Sequence, residues 1–264
     1  MNKTIKFSII ASLMFTGGAI ADKITLSDVK AQYAANKKVK ATKELKQSIQ
    51  LGFANTTGNT DTLNLNGRYA MSVTTTGYRE KELKIAFDTS AFLTENEGTR
   101  DNEEYTANLG LEQSIIDGWL GYASINWLRN QFTNYDNKVS IGAGMGKELY
   151  NDGAHTLKAK LGVAYNIEDY SNDQENKTFA SLNQYFEYNN KLNETSALYV
   201  ILGAMENFED FSNDYQFTVV AGLHFAVAEN LNVTIEEELR YDALPPVGFD
   251  TTDTKSIVRI GYSF

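Results

Sequence analysis

Across its 264 residues the chain has no cysteine, only two prolines, Pro245 and Pro246, and only two histidines, His155 and His224. Without cysteine there are no disulfides, so an exported chain of this kind must be held together by its core or its surroundings. After residue 21 no stretch is apolar enough for a transmembrane helix, which needs about 20 such residues. Clustered Lys and Arg are missing too, and 34 acids against 24 bases give a formal charge of -10, which argues against a nucleic-acid partner. A glycine-rich phosphate loop and the Asp/Gly spacing of an EF-hand are likewise absent. What the chain does hold is aromatic residues, with 15 Tyr and 14 Phe.

The N-terminus has an export pattern. Lys3 and Lys6 precede the apolar run "FSIIASLMFTGGAIA", which closes on Ala19-Ile20-Ala21. A charged start, a short apolar segment and an A-x-A site predict a signal peptide over 1–21. Cleavage there removes two lysines and no acid, taking the formal charge from -10 to about -12. The lysine-rich lead that follows, 22–43, is open between a disordered segment, a short helix over 27–36 and a plug.

From residue 44 onward the dominant signal has period two. Leu63, Leu65, Tyr69, Met71 and Val73 alternate with Asn64, Asn66, Arg68, Ser72 and Thr74. Similar alternation runs through 83–88, 105–112, 156–167 and 215–227, and it marks strands with one apolar and one polar face. Twelve strands are expected, near 44–56, 61–75, 80–94, 103–116, 118–131, 138–150, 154–168, 177–190, 195–206, 214–228, 231–242 and 254–264. They run about 10 to 14 residues, longer than the usual five or six and long enough to cross a membrane at a tilt. Alternation is poor in the fifth, eighth and ninth strands, whose facing stays open.

Tight links at "IIDGW", "YNDGAH", "NNKLNE" and "VAENLN" alternate with longer ones at "TENEGTRDNEE", "FTNYDNK", "EDYSNDQENK", "ENFEDFSND" and "DALPPVGFDTTD". Short periplasmic turns and longer external loops are the asymmetry of outer-membrane barrels. One short link, "NTTGNTD", falls on the external side. The expected fold is therefore an all-β, antiparallel, up-and-down transmembrane barrel of about 12 strands spanning 44–264, in the cell outer membrane of a Gram-negative envelope. A soluble sandwich explains the long strands and their single apolar faces poorly.

In the last strand Val258, Ile260, Tyr262 and Phe264 share the face that meets lipid, and Ile257, Arg259, Gly261 and Ser263 share the other. The aromatic ending with its alternating apolar partners resembles the C-terminal signal that the barrel-assembly machinery reads. "FANTTGNTDTLNLNGRY" (53–69) and "RYDALPPVGFDTTDTKSIVRIGYSF" (240–264) resemble the opening and closing hairpins of the YdiY-like salt-induced outer-membrane proteins. That resemblance covers about residues 44–264. It implies a barrel of unassigned molecular activity, associated by name with salt response, and brings no catalytic residues.

By alternation Arg68, Lys84, Asp88, Glu112, Lys158, Lys160, Glu236, Glu238, Arg240 and Arg259 face the lumen, with Glu236 roughly opposite Arg259. Glu237 falls on the lipid face beside Ile235 and Leu239, where a charge is costly at mid-depth unless a bulge turns it away. His155 lies beside a tight turn and His224 inside the barrel, with no local motif for a nucleophile and acid. No catalytic, metal-binding or cofactor-binding residue is therefore expected. Three acidic links, "ENEGTRDNEE", "EDYSNDQENK" and "ENFEDFSND", hold thirteen acids against two bases. They suit solvated loops that attract cations or meet lipopolysaccharide.

Barrels of about eight strands fill their interior, while those of about sixteen stay open. The expected function is a non-enzymatic barrel forming a narrow pore for ions or small polar solutes, linked to salt stress. The alternative is a closed structural or adhesive barrel acting through its acidic loops. An outer-membrane hydrolase would need a buried Ser-His pair with an acid. Expected partners are outer-membrane lipid and lipopolysaccharide, with the assembly machinery during biogenesis.

Overall fold

The computed structural model describes residues 44–57, 62–96 and 99–264. The expected signal peptide, the lead over 22–43 and the turn at 58–61 lie outside the described residues. The described chain forms β1 (Glu44–Thr57), β2 (Thr62–Thr76), β3 (Glu82–Asn96), β4 (Thr99–Ile116), β5 (Trp119–Asn130) and β6 (Tyr135–Asn151). It continues through β7 (His155–Tyr170), β8 (Lys177–Lys191), β9 (Ser196–Asn207), β10 (Tyr215–Ala226), β11 (Leu231–Asp242) and β12 (Thr252–Ser263). Each strand pairs antiparallel with its sequence neighbours, and β12 returns to β1, closing the barrel. The twelve period-two segments are these twelve strands. The largest differences are at β4 and β6, which begin four and three residues earlier than alternation suggests.

The final aromatic residue belongs to the seam. Ser48 pairs with Ser263 and Thr57 with Thr254. The Phe264 amide donates to the Gln47 carbonyl at 2.9 Å, and the Gln47 amide donates back at 3.1 Å. An apolar outer face leaves no water to satisfy an open edge, so this pairing is what makes the sheet viable in lipid. The strands are strongly staggered. A line of paired residues from Lys46, low on β1, runs through Ser72, Ala86, Gly110, Ser124, Gly142, Ala164 and Ser181 to Asn207, the last residue of β9. Stagger of this kind is the tilt that closure requires.

Burial is inverted relative to a soluble domain. Leu51, Phe53, Leu65 and Ile260 are about 60% exposed on the outer wall, while Lys158, Asn166, Ser181 and Glu104 are almost wholly buried inside. Among the described residues the buried apolar cluster consists of Phe92 and Ile257 alone. Val258, Ile260, Tyr262 and Phe264 all point outward, and Ile257 and Arg259 point inward. The rings of Tyr262 and Phe264 stack at 6.2 Å.

At the end of the barrel that holds both ends of the sheet, here the turn end, the links are tight. Asp117 and Gly118 both take positive φ, 46° and 78°, as a two-residue hairpin turn requires. In the next turn the Asp152 carboxylate accepts the amides of Ala154 (3.0 Å) and His155 (2.7 Å), and the His155 amide holds its pKa below the ordinary value. The opposite, loop end carries the longer connections 171–176, 208–214 and 243–251.

Gly52 marks the tightest point of the seam. A Cβ there would sit 2.0 Å from the Val258 carbonyl oxygen and 2.8 Å from the Arg259 Cα, both rigid backbone. Gly52→Val is therefore expected to prevent closure, abolishing the compact, heat-modifiable band in electrophoresis of refolded protein. Gly110→Val, at a position where a Cβ meets nothing within 4 Å, is expected to close normally.

Candidate functional site: a polar lumen bridged by ion pairs

The inner wall is where the strands place most of their charge. All ten charges expected on this face stand on it; eight fall into two groups, and Glu238 and Arg240 join a bridge across the lumen. Toward the loop end, Arg259 Nη1 meets Glu236 Oε1 at 3.0 Å and Arg68 Nη2 lies 3.8 Å from Asp88 Oδ2. The direct cross-strand partner of Glu236 is Ile257, so Arg259 reaches it diagonally, one inward position further down β12. Arg259 Nε also donates to Asn66 Oδ1 at 3.0 Å, and the Tyr199 hydroxyl donates to Glu236 Oε2 at 2.5 Å. Nearer the turn end, Glu112 pairs with Lys160 and lies 3.8 Å from Lys158, with Lys84 buried close by on β3.

Several contacts cross the lumen rather than follow the wall. Lys255 on β12 donates to both oxygens of Glu104 on β4 at 2.5 Å, and Arg240 on β11 reaches Glu104 Oε2 at 3.1 Å. Asn130 adds a donor to the same carboxylate at 2.6 Å, and Arg240 Nε meets Glu238 at 2.5 Å. A second bridge joins β6 to β10 and β11. Here the Tyr135 hydroxyl donates to Asp242 at 3.2 Å and Lys138 donates to Gln216 at 2.7 Å while pairing with Glu168 at 2.7 Å.

Sequence reasoning missed this second set. Glu104 and Glu168 fall within the acidic links and also within the expected strands 103–116 and 154–168; they take the inward phase of β4 and β7, and both carboxylates are buried inside. Lys255 shares the inward face with Ile257 and Arg259 by simple alternation, so its placement was available from the pattern. The bridges themselves were not, because they join strands far apart in sequence.

Glycines shape the remaining wall. The Tyr122 ring covers Gly144 and Gly162, and Tyr199 lies across Gly222, each where a Cβ would collide. Among the described residues there are cavities of about 370, 290 and 220 Å³. Thr218 lines all three, and the last opens beside Pro245, Pro246 and Phe249 at the loop end. Toward the turn end the inner face is packed, with Lys158, Glu187 and Asn189 at most 3% exposed.

The histidines stand apart from this network. His155 Nδ1 lies 2.7 Å from the Tyr188 hydroxyl, and His224 Nδ1 lies 3.1 Å from Thr234 Oγ1. Among the described residues no carboxylate hydrogen-bonds either ring, and no group of three or more His, Cys, Asp or Glu is placed to hold a metal ion. Glu237 stays on the outer face, exposed, accepting a hydrogen bond from Ser256 at 2.7 Å. The register of β11 is unbroken on both sides, so no bulge turns it inward.

Residues 49–264 match the family described as "Protein of unknown function, DUF481". The chain belongs to that family. No curated protein matches this DUF481 chain. Among solved structures it is similar to the NanC porin, at 7% identity and a TM-score of 0.52 over 81% of this chain and 98% of that one. It is also similar to outer membrane phospholipase A from Escherichia coli, at 10% identity and a TM-score of 0.50 over 81% and 95% of the two chains. At such identities the likeness is one of fold, a closed barrel of the outer-membrane type.

Removing Glu104 leaves Lys255 without its close partner and Arg240 with Glu238 and the Asp253 charge on the paired strand. Breaking a buried ion pair from one side costs about 3–5 kcal/mol, so Glu104→Ala is expected to lose stability on that scale. Glu104→Met combined with Lys255→Met is expected to recover much of it. Urea unfolding of barrels refolded into lipid vesicles measures both.

Proposed function

We propose that this DUF481 chain is a non-enzymatic barrel of the outer membrane whose lumen is a narrow path for ions or small polar solutes. The observation that carries the reading is the run of three cavities that share Thr218, lined by both polar and apolar groups and reaching the loop end. In this orientation the turn end faces the periplasm and the loop end the outside, with the outer wall in lipid and the upper rim among lipopolysaccharide. The outward row Val258, Ile260, Tyr262 and Phe264 supports recognition of the last strand by the barrel-assembly machinery. Membership of the YdiY-like branch and a role in salt stress rest on the resemblance of the two terminal hairpins. Among the described residues neither histidine has the acid-backed hydroxyl that a hydrolase of this architecture would need, which supports a barrel without catalysis.

The packed turn-end half favours a second reading, a closed barrel acting through its loops. Single-channel recording in planar bilayers separates the two, using the chains 22–264 and 44–264. Discrete conductance steps are expected, with larger steps when Glu104→Ala removes the bridge across the mouth. A barrel that inserts but remains silent, truncated or not, would leave the closed reading.

A further inference from the structure

Within the proposed lumen, the cavity lined by Gly110, Gly203 and Thr218 has a chemistry that the pore reading does not use. At about 370 Å³ it falls in the size range of small-molecule sites, roughly 300–1,000 Å³. Its space exists because Gly110 on β4 and Gly203 on β9 carry no side chain; a Cβ at either would meet nothing within 4 Å. Its charges are already matched, Lys160 by Glu112 and Arg68 by Asp88 at its edge. What it leaves free is neutral. Ser124, Asn126 and Thr218 line it without a side-chain hydrogen bond among the described residues, and Asn126 is exposed although it faces inward. The Asn183 carbonyl accepts from Ser181 at 2.7 Å, which leaves its amide hydrogens for a ligand. Tyr122 and Tyr185 add aromatic surface on either side of the Lys160 ammonium, 5.6 and 5.1 Å from their ring centroids.

We infer that this cavity is a binding subsite for a neutral polyhydroxylated solute, a saccharide ring. Hydroxyls both donate and accept, as amides and hydroxyls require of a partner, and the C–H faces of a sugar suit tyrosine rings. A charged solute would leave water without gaining an unpaired counter-charge, a net cost. This rests on the reading of the lumen as accessible to solute, and it adds a preference that conductance alone does not report.

The test is saturation-transfer NMR on the chain 22–264 in detergent micelles, with glucose, maltose and N-acetylglucosamine as neutral probes and glucuronate as the anionic counterpart. At least one neutral probe is expected to show saturable transfer, with glucuronate weaker. Gly110→Leu and Gly203→Leu, which fill the space without backbone strain, are expected to weaken binding by at least about tenfold. Heat-modifiable migration verifies that each variant is folded. Absence of binding by all three neutral probes, glucuronate binding as well as they do, or unchanged binding in both folded glycine variants would overturn the assignment. Because binding in micelles needs no current, a barrel that binds sugar but does not conduct defeats only the pore. One that conducts but binds no sugar defeats only the subsite.

Discussion

Every backbone amide and carbonyl in a wall that is apolar on its outside must find its partner within the wall. That constraint governs the rest of the molecule. It makes the bond between Phe264 and Gln47 as much a part of the structure as any ladder in the middle of the sheet. Closure imposes the stagger, and stagger brings the inner ends of distant strands opposite one another across a small space. Polar side chains sent inward by alternation then have to be matched there, which is why Lys255 and Arg240, besides meeting Glu238 of β11, both reach Glu104 across the space.

Much of this was written in the period-two pattern. Where the inner face is polar and the outer face apolar, as in β2, β3, β7 and β12, both the strand and its facing could be read directly. In β9 the facing was obscured because the inner face holds Tyr199, Ile201 and Met205 while the outer face holds Glu206, hydrogen-bonded to Gln184 of β8. The acidic links failed for a different reason. Counting charge in a segment ignores register, and Glu104 and Glu168 alternate with residues that face outward. Glu237 shows the reverse. Register alone put it on the outer wall, and Ser256 gives it one hydrogen bond there.

The lumen balances two demands. Buried charges are stabilised by opposite partners, yet partners that meet across the space also obstruct it. The chain separates the demands along its axis, with close packing around Lys158 and Glu187 toward the turn end and glycine-made space around Gly110 and Gly203 higher up. The tyrosines folded over Gly144, Gly162 and Gly222 keep the packed stretches dense without adding charge.

Among the described residues the near absence of a buried apolar cluster has a consequence for the chain before it folds. Along most strands of the unfolded polypeptide, apolar and polar side chains are interleaved, and the run 197–205 of β9 is an exception. Folding sorts them, and it sorts the apolar ones to the outside. For this protein the extended chain is the water-tolerant form and the finished barrel the insoluble one. For a barrel carried to the outer membrane, the proposed location, delay in folding would protect the chain on the way, and premature folding would strand it.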